Sequence, residues 1–279
     1  MVSKGWIALD IDGTLTLDKY SVPTQVSDYL RKIHFGGWNI ALVTGRPFAF
    51  AQMALSGFDF PYTFLAQNGS IALDMPSKSI LFKRYISPDA ISLVEKAYEG
   101  MGSDFLIYAG YERGDYCYWR PSRFSPEDLR YLEDLQKRQK EKWRAVESFD
   151  EVADFPLIKC FGFEKGLDKI SRGLQLSQRF HVTKIRDPFE KGYFMLLVTD
   201  LSASKGGSLL EVLRLKGRGA KVIAAGDDEN DLSLLKAADV KIAMDHAPKS
   251  LKEIADFIAP PTKDCGIIHA LQLAIDHDH

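Results

Sequence analysis

The sequence predicts an α/β fold, with a parallel-sheet core built from both ends of the chain and an α+β domain inserted between them. Three observations carry this. Apolar strand-like runs alternate with helical spacing up to about Met75 and again from about Tyr193. The stretch between them is mixed, with paired strands and helices in no βα order. Acidic residues and a threonine stand where the apolar runs of the flanking parts end, as ligand-binding residues do at the carboxyl edge of a parallel sheet.

Taken in order, Trp6-Ile7-Ala8-Leu9 reads as a buried strand that stops at Asp10 and Gly13. Val26, Tyr29, Leu30 and Ile33 recur at helical spacing from Pro23 to His34, and Gly36-Gly37 ends that helix. Asn39 to Val43 is a second strand ending at Thr44-Gly45, and Pro47 to Leu55 is a helix with proline in its first turn. Tyr62 to Ala66 is a third strand, ending at Asn68-Gly69. In the insert, the pattern predicts a strand over 79–83, a helix over 88–100 capped by Ser87, and strands over 105–109 and 116–120. A long polar helix from Pro126 to Trp143 follows, then strand, helix and strand over 157–164, 168–178 and 180–185. Phe194 to Val198 is a strand that either domain can claim. The βα pattern then runs through a helix over 203–215, a strand over 221–225 ending at Gly226-Asp227, a helix over 230–237 and a strand over 240–244. A helix, a strand and a helix over 248–275 complete the series. The expected division is core over 1–76, insert over 77–192 and core again over 193–279.

The 279 residues are enough for two ordinary domains and need no disulfide or structural metal. A net charge of −2 gives no footprint for nucleic acid or an acidic membrane surface. No apolar run has the length of a membrane span, and the residues before Asp10 lack the apolar stretch of a secretion signal. Cys117, Cys160 and Cys265 form no Cys-x-x-Cys pair, so a reducing cytoplasmic setting is expected. His34, His181, His246 and His269 show no ligand spacing and read as ordinary. The tail, Asp276-His277-Asp278-His279, reads as a solvated chain end rather than a metal site.

The strand-end residues are Asp10, Asp12, Thr44, Asp227, Asp228 and Asp231, with Lys205 opening a helix. One aspartate there has a bland explanation, since aspartate ends strands and caps helices. Several at one sheet edge repel one another unless a cation neutralises them. Hard carboxylate oxygens suit Mg²⁺, which binds one or two protein carboxylates together with substrate phosphate. A lysine and a threonine hydroxyl then hold phosphate oxygens. This combination predicts phosphoryl transfer.

Asp10-Ile11-Asp12-Gly13-Thr14-Leu15-Thr16 resembles the first motif of the haloacid dehalogenase superfamily of phosphohydrolases. Thr44-Gly45-Arg46, Lys205 within Ser202-Ala203-Ser204-Lys205-Gly206, and Gly226-Asp227-Asp228-Glu229-Asn230-Asp231 are similar to motifs two, three and four. Asn68-Gly69, Ala243-Met244 and Asp264-Cys265-Gly266-Ile267 are similar to the Cof-type subgroup. The resemblance implies a Rossmann-like core and an Mg²⁺-dependent phosphatase. Asp10 would be the nucleophile that forms an aspartyl-phosphate, and Asp12 the acid and then the base. The Asp10 carboxylate, the Asp12 main-chain carbonyl and Asp227 would hold the metal. Thr44, Gly45, Lys205 and Asn230 would bind the phosphoryl oxygens. Asp231, and Asp228 with it, would orient Lys205 or support the ligands. For Arg46 two readings stand, a substrate contact and a surface ion pair. Asp245 departs from the glycine or asparagine that relatives commonly show there.

An insert between motifs two and three resembles the family's type IIB cap, two helices on an antiparallel sheet. Phe105, Tyr108, Tyr111, Tyr116, Tyr118, Trp119 and Phe124, with Arg113, Arg120 and Arg123, read either as a half-buried sheet or as a surface for a sugar or heterocycle. The expected substrate is a small soluble phosphate ester, with sugar phosphates the leading class, and neither nucleic acid nor membrane is expected as a partner. A phosphomutase or phosphotransferase of the same superfamily would keep every motif. A receiver phosphorylated on aspartate fits poorly, because it carries its acceptor after a later strand and spans one domain.

Overall fold

The computed structural model describes residues 3–18, 20–139, 141–187 and 189–277, so the last two residues of the acidic-histidine tail lie outside it. The chain forms two compact units, Met1–Gly45 with Ala51–Phe82 and Ser204–His279, and Arg46–Phe50 with Lys83–Ala203.

The chain opens with β1 (Gly5–Asp10), α1 (Thr24–Phe35), β2 (Trp38–Val43), α2 (Phe48–Ala54), β3 (Tyr62–Ala66), β4 (Ile71–Met75) and β5 (Ser79–Lys83). There follow α3 (Ile91–Ala97), β6 (Leu106–Tyr108), β7 (Tyr116–Trp119), α4 (Pro126–Gln139), β8 (Lys142–Ala145), β9 (Leu157–Phe163), α5 (Glu164–Leu176), β10 (Phe180–Arg186) and β11 (Tyr193–Asp200). The chain ends with α6 (Lys205–Lys216), β12 (Lys221–Gly226), α7 (Leu232–Lys236), β13 (Val240–Met244), α8 (Lys249–Lys252), β14 (Phe257–Ala259) and α9 (Gly266–Asp276).

The first unit holds an eight-stranded sheet in the order β14-β13-β12-β1-β2-β3-β4-β5. Pairing is parallel from β14 to β3, and β4 runs antiparallel to β3. Every residue of β1 is buried, as in a parallel strand with both faces covered. On one face, Trp6, Ala8, Val43, Val222 and Ala224 pack with Leu209, Val212 and Leu213 of α6 and Leu234 of α7. Gly206 permits this contact: a Cβ there would lie 1.9 Å from the Ser233 carbonyl oxygen. The register Leu9↔Ala225 and Asp10↔Val43 sets the ends of β12, β1 and β2 side by side, and so gathers residues far apart in sequence.

The second unit holds a six-stranded sheet, β10-β11-β9-β6-β7-β8, antiparallel except for the β7–β8 pair. Its residues alternate between two cores, as a strand's period of two requires. Ile107, Ile158, Cys160, Leu196 and Val198 pack with α3 and α5. Leu106, Tyr108, Cys117, Leu157 and Leu197 pack with Leu132 and Leu135 of α4.

Several expectations change. Ser79–Lys83 joins the first sheet, and Tyr193–Asp200 lies between β9 and β10 in the second. The two compact units divide at about 82/83 and 203/204, beside the expected 76/77 and 192/193. The turn from Ser77 to Ser79 lets β4 and β5 extend the first sheet before the chain leaves it. The polar helix stops at Gln139, because Lys142–Ala145 pairs with β7 and Trp143 packs edge-on against Trp119 at 5.3 Å between centroids. Among the described residues the second unit carries three α-helices, and its sheet includes one parallel pair, β7–β8, where an antiparallel sheet was expected. Ser87 makes no side-chain cap, and Pro88–Ala90 is a short 3₁₀ turn ahead of α3. No helix among the described residues is long and apolar enough to cross a membrane, and all three cysteines are unpaired.

The aromatic-arginine stretch is largely structural. Phe105 packs against Tyr98 and Phe149. Arg120 is fully buried, donates through Nε and Nη2 to both Asp104 oxygens at 2.7 and 2.8 Å, and reaches Glu95 Oε1 at 2.5 Å. Breaking such a buried pair leaves a carboxylate without its counter-charge. Arg120→Leu is expected to cost about 3–5 kcal/mol in urea unfolding, and a loss under about 1 kcal/mol would contradict this assignment.

Candidate active site

β1 and β12 end beside one another, so Asp10, the last residue of β1, and Asp227, the first after β12, share one edge of the sheet. Backbone bonds from Leu15 and Thr16 to the Ile11 carbonyl, both 3.0 Å, fold the loop after β1 back on itself. Gly13 in that loop has φ +72, and a Cβ on it would lie 2.1 Å from Asp227 Oδ2, so only glycine lets the chain pass here. The Gly13 carbonyl accepts a hydrogen bond from Thr262 Oγ1, which ties the loop to the C-terminal part of the unit.

Asp231 comes from the 3₁₀ turn Glu229–Asp231 that follows Asp227. Its Oδ2 accepts from the amides of Asp227 and Asp228 at 3.0 and 3.2 Å. Gly226 makes room for it, since a Cβ there would sit 2.4 Å from Asp231 Cβ. Lys205 is the first residue of α6, behind Ser204, whose hydroxyl accepts the Gly207 amide at 3.1 Å. A cation at a helix N-terminus opposes the helix dipole. Two carboxylates offset this: Lys205 Nζ donates to Asp10 Oδ1 at 2.5 Å and to Asp231 Oδ1 at 2.6 Å.

These three side chains are almost wholly inaccessible. Burial pushes the Asp10 carboxyl well above the usual range; Asp231 adds to this, the Lys205 ammonium opposes it, and Asp227 and Asp12 raise it further. Burial works against the Lys205 charge, but Asp10 and Asp231 outweigh it and hold the ammonium protonated. Burial likewise lifts the Asp227 carboxyl to about 6.

The arrangement fits a divalent cation. Asp10, Asp227 and Asp231 each offer an oxygen within 4.8 Å of the others. Asp10 Oδ2 is buried and has no hydrogen-bond partner, a costly state that a cation relieves. Lys205 pairs with Asp10 and Asp231 only, so its single charge does not balance all three carboxylates. All the donors are hard oxygens, which suits Mg²⁺. Asp231 is already engaged at both oxygens, so Asp10 Oδ2 and Asp227 have the capacity to ligate.

The remaining expected residues fall as follows. Asp12 is half-buried in the loop after β1, and its carboxylate is not one of the three grouped oxygens. Thr44 is buried at the end of β2; its amide donates to Leu65 and its carbonyl accepts from Asn68, at 2.9 and 2.8 Å, with Gly45 next in the chain. Asn230 lies half-buried on the turn between Asp227 and Asp231. Asp228 caps that turn by accepting the Glu229 amide at 2.8 Å, and it is Asp231 that holds Lys205. Arg46 belongs to the second unit, is buried, and places its guanidinium 4.2 Å from the Phe50 ring centre, so it is not a surface residue.

His246, read from sequence as ordinary, is in the site. Its Nε2 lies 3.0 Å from Asp227 Oδ2 and its Nδ1 3.1 Å from Asp245 Oδ1. Both partners are carboxylates, and the ring donates both bonds at once when each of its nitrogens carries a proton. Its neighbours raise its affinity for a proton, the Asp227 hydrogen bond most of all. The one available signal was the departure at the neighbouring Asp245, directly after the strand expected over 240–244.

The sequence pattern of the haloacid dehalogenase-like hydrolases matches residues 7–271. The chain is 25% identical to phosphatase YwpJ of Bacillus subtilis, over 95% of this chain and 98% of that one. It is 26% identical to a phosphoglycolate phosphatase of Archaeoglobus fulgidus, over 95% of each. Among solved structures it resembles a haloacid dehalogenase-like hydrolase of Bacteroides thetaiotaomicron, with TM-score 0.78, 23% identity, and coverage of 98% of this chain and 100% of that one. It also resembles the subclass IIB sugar phosphatase BT4131, with TM-score 0.75, 19% identity, and coverage of 97% and 99%.

Lys205→Met strands two buried carboxylates and is expected to destabilise the chain by about 3–5 kcal/mol in urea unfolding. Asp231→Asn in that background should recover at least about 1 kcal/mol, because the two positions share one interaction. Strictly additive losses would contradict the ion-pair geometry.

Proposed function

The chain belongs to the haloacid dehalogenase-like hydrolases and is a phosphatase of Cof type, and from that premise we propose that it hydrolyses a small phosphate ester with Mg²⁺ through an aspartyl-phosphate on Asp10. The observation that carries this reading is Asp10 itself: one oxygen held by Lys205, the other buried and unpartnered at the carboxyl edge of a parallel sheet.

Bound at Asp10 and Asp227, Mg²⁺ would supply positive charge to the phosphoryl group and keep Asp10 ionised. An Asp10 oxygen attacks phosphorus in line with the ester oxygen; the O–P bond to Asp10 forms as the bond to the leaving group breaks. Asp12 gives its proton to the departing oxygen. It then takes a proton from the water that attacks the aspartyl-phosphate, which releases inorganic phosphate and restores Asp10. Lys205 balances charge on the phosphoryl oxygens, with Thr44, the Gly45 amide and Asn230 as further donors. Asp231 holds Lys205 in place, and Arg46 is a candidate contact to substrate.

Sugar phosphates are the leading substrate class, in line with the sugar phosphatase among the similar structures. Phosphoglycolate phosphatases among the relatives favour a second class, small carboxylated phosphate esters. The three unpaired cysteines suit a cytoplasmic setting.

With Mg²⁺, the protein is expected to release inorganic phosphate from an aryl phosphate in proportion to enzyme, and chelation should abolish the release. Asp10→Asn should lower turnover by about a thousandfold or more with the fold retained; full activity in that variant would overturn the assignment. Asp12→Asn should slow both formation and breakdown of the phosphoenzyme, read by single-turnover kinetics. Asp227→Asn should raise the Mg²⁺ needed for half-maximal rate by about tenfold or more, and an unchanged requirement would remove it as a ligand. A panel of sugar phosphates and phosphoglycolate then separates the two substrate classes by kcat/KM.

A further inference from the structure

The turn after β13 places a histidine against the acidic site. β13 pairs in parallel with β12, with Gly226 opposite Ala243, so the turn after Met244 and the turn after Gly226 leave the sheet side by side. The Ala247 amide donates to the Met244 carbonyl at 3.0 Å and closes the first of these turns, which holds Asp245 and His246. Asp227 Oδ2 is then bounded by two groups. Gly13 lies beneath it, with no room for a side chain, and His246 Nε2 lies 3.0 Å away. A Cβ on Gly13 would also meet His246 Nε2 at 3.1 Å, so ring, loop and carboxylate form one contact. On the far side of the ring, Asp245 Oδ1 takes Nδ1 at 3.1 Å.

We propose that His246 is a positioning residue for Asp227: it occupies Oδ2 and turns the carboxylate so that Oδ1 faces the divalent cation, while Asp245 fixes the ring. This rests on the reading of Asp227 as a metal ligand. The chemistry is that of ligand orientation. A carboxylate has a broad terminal torsion, and a hydrogen bond to one oxygen selects one orientation before the cation arrives. No hydrogen bond to Oδ1 occurs among the described residues. The Oδ2 bond is charge-assisted and therefore among the stronger ones available to a side chain. His246 itself is 48% exposed and outside the hydrophobic core, so its replacement leaves the packing intact.

The test reads metal binding rather than turnover, with Mn²⁺ as the probe, by titration calorimetry and by the electron-spin signal of free Mn²⁺. His246→Ala is expected to weaken Mn²⁺ binding about 10–100-fold with no change in the urea midpoint. His246→Gln, whose amide nitrogen reaches the Nε2 position, should restore most of the affinity, and Asp245→Asn should give a smaller loss. His246→Leu keeps the bulk without the donor and should match the alanine variant. Wild-type Mn²⁺ affinity in both the alanine and the leucine variant overturns the proposal, and so does a loss that glutamine fails to rescue. Asp227→Asn is measured alongside. If it binds Mn²⁺ like wild type, the reading of Asp227 has failed. If it weakens binding while the His246 variants do not, Asp227 stands as a ligand and His246 has no part in holding it.

Discussion

The contact between Lys205 and the two carboxylates of Asp10 and Asp231 is the constraint on which the site depends. It buries two carboxylates around one ammonium where water cannot stabilise them, and removal of the ammonium leaves both carboxylates uncompensated. The surrounding chain is arranged to permit it. Gly226 lets Asp231 approach the strand end, Gly206 lets α6 settle on α7, and Ser204 starts the helix so that Lys205 points at the sheet edge. Asp231 is locked by two backbone amides and Lys205 by two carboxylates, so Asp10 is the member with an oxygen to spare. A nucleophile that must also meet a cation needs that spare oxygen.

Much of this was legible because each chemical residue sits where a local pattern ends. Asp10 and Asp227 close apolar strands, Thr44 follows another, and Lys205 opens a helix; a parallel sheet brings strand ends together whatever their separation in sequence. What was not legible depends on partners. His246 had no ligand spacing, and its role appears only when β13 is laid beside β12. Asp228 and Asp231 are both acids three residues apart, and sequence could not say which would turn inward. The structure gives Asp228 to a backbone cap and Asp231 to Lys205.

The second unit shows the same limit from the other side. Arginines among aromatics suggested a ligand surface, yet Arg120 is consumed by Asp104 and Glu95, beneath the ring of Phe149. The strand β9 was readable from its apolar run, but β8 was hidden at the end of a polar helical run because a short strand of Lys-Trp-Arg-Ala gains its stability from β7 and Trp119. The domain boundaries were hard to read for a related reason: β5 and β11 have strand composition, and composition does not say which sheet a strand will join.

The central claim is that Asp10 accepts the phosphoryl group. It is tested most directly by mixing the protein with Mg²⁺ and a phosphate ester, quenching in acid within one turnover, and mapping the phosphorylated peptide by mass spectrometry. The account predicts a phosphoryl group on the peptide that contains Asp10, lost on further turnover and absent without metal. Turnover with no phosphopeptide at any quench time, or with the phosphoryl group on another residue, would contradict it.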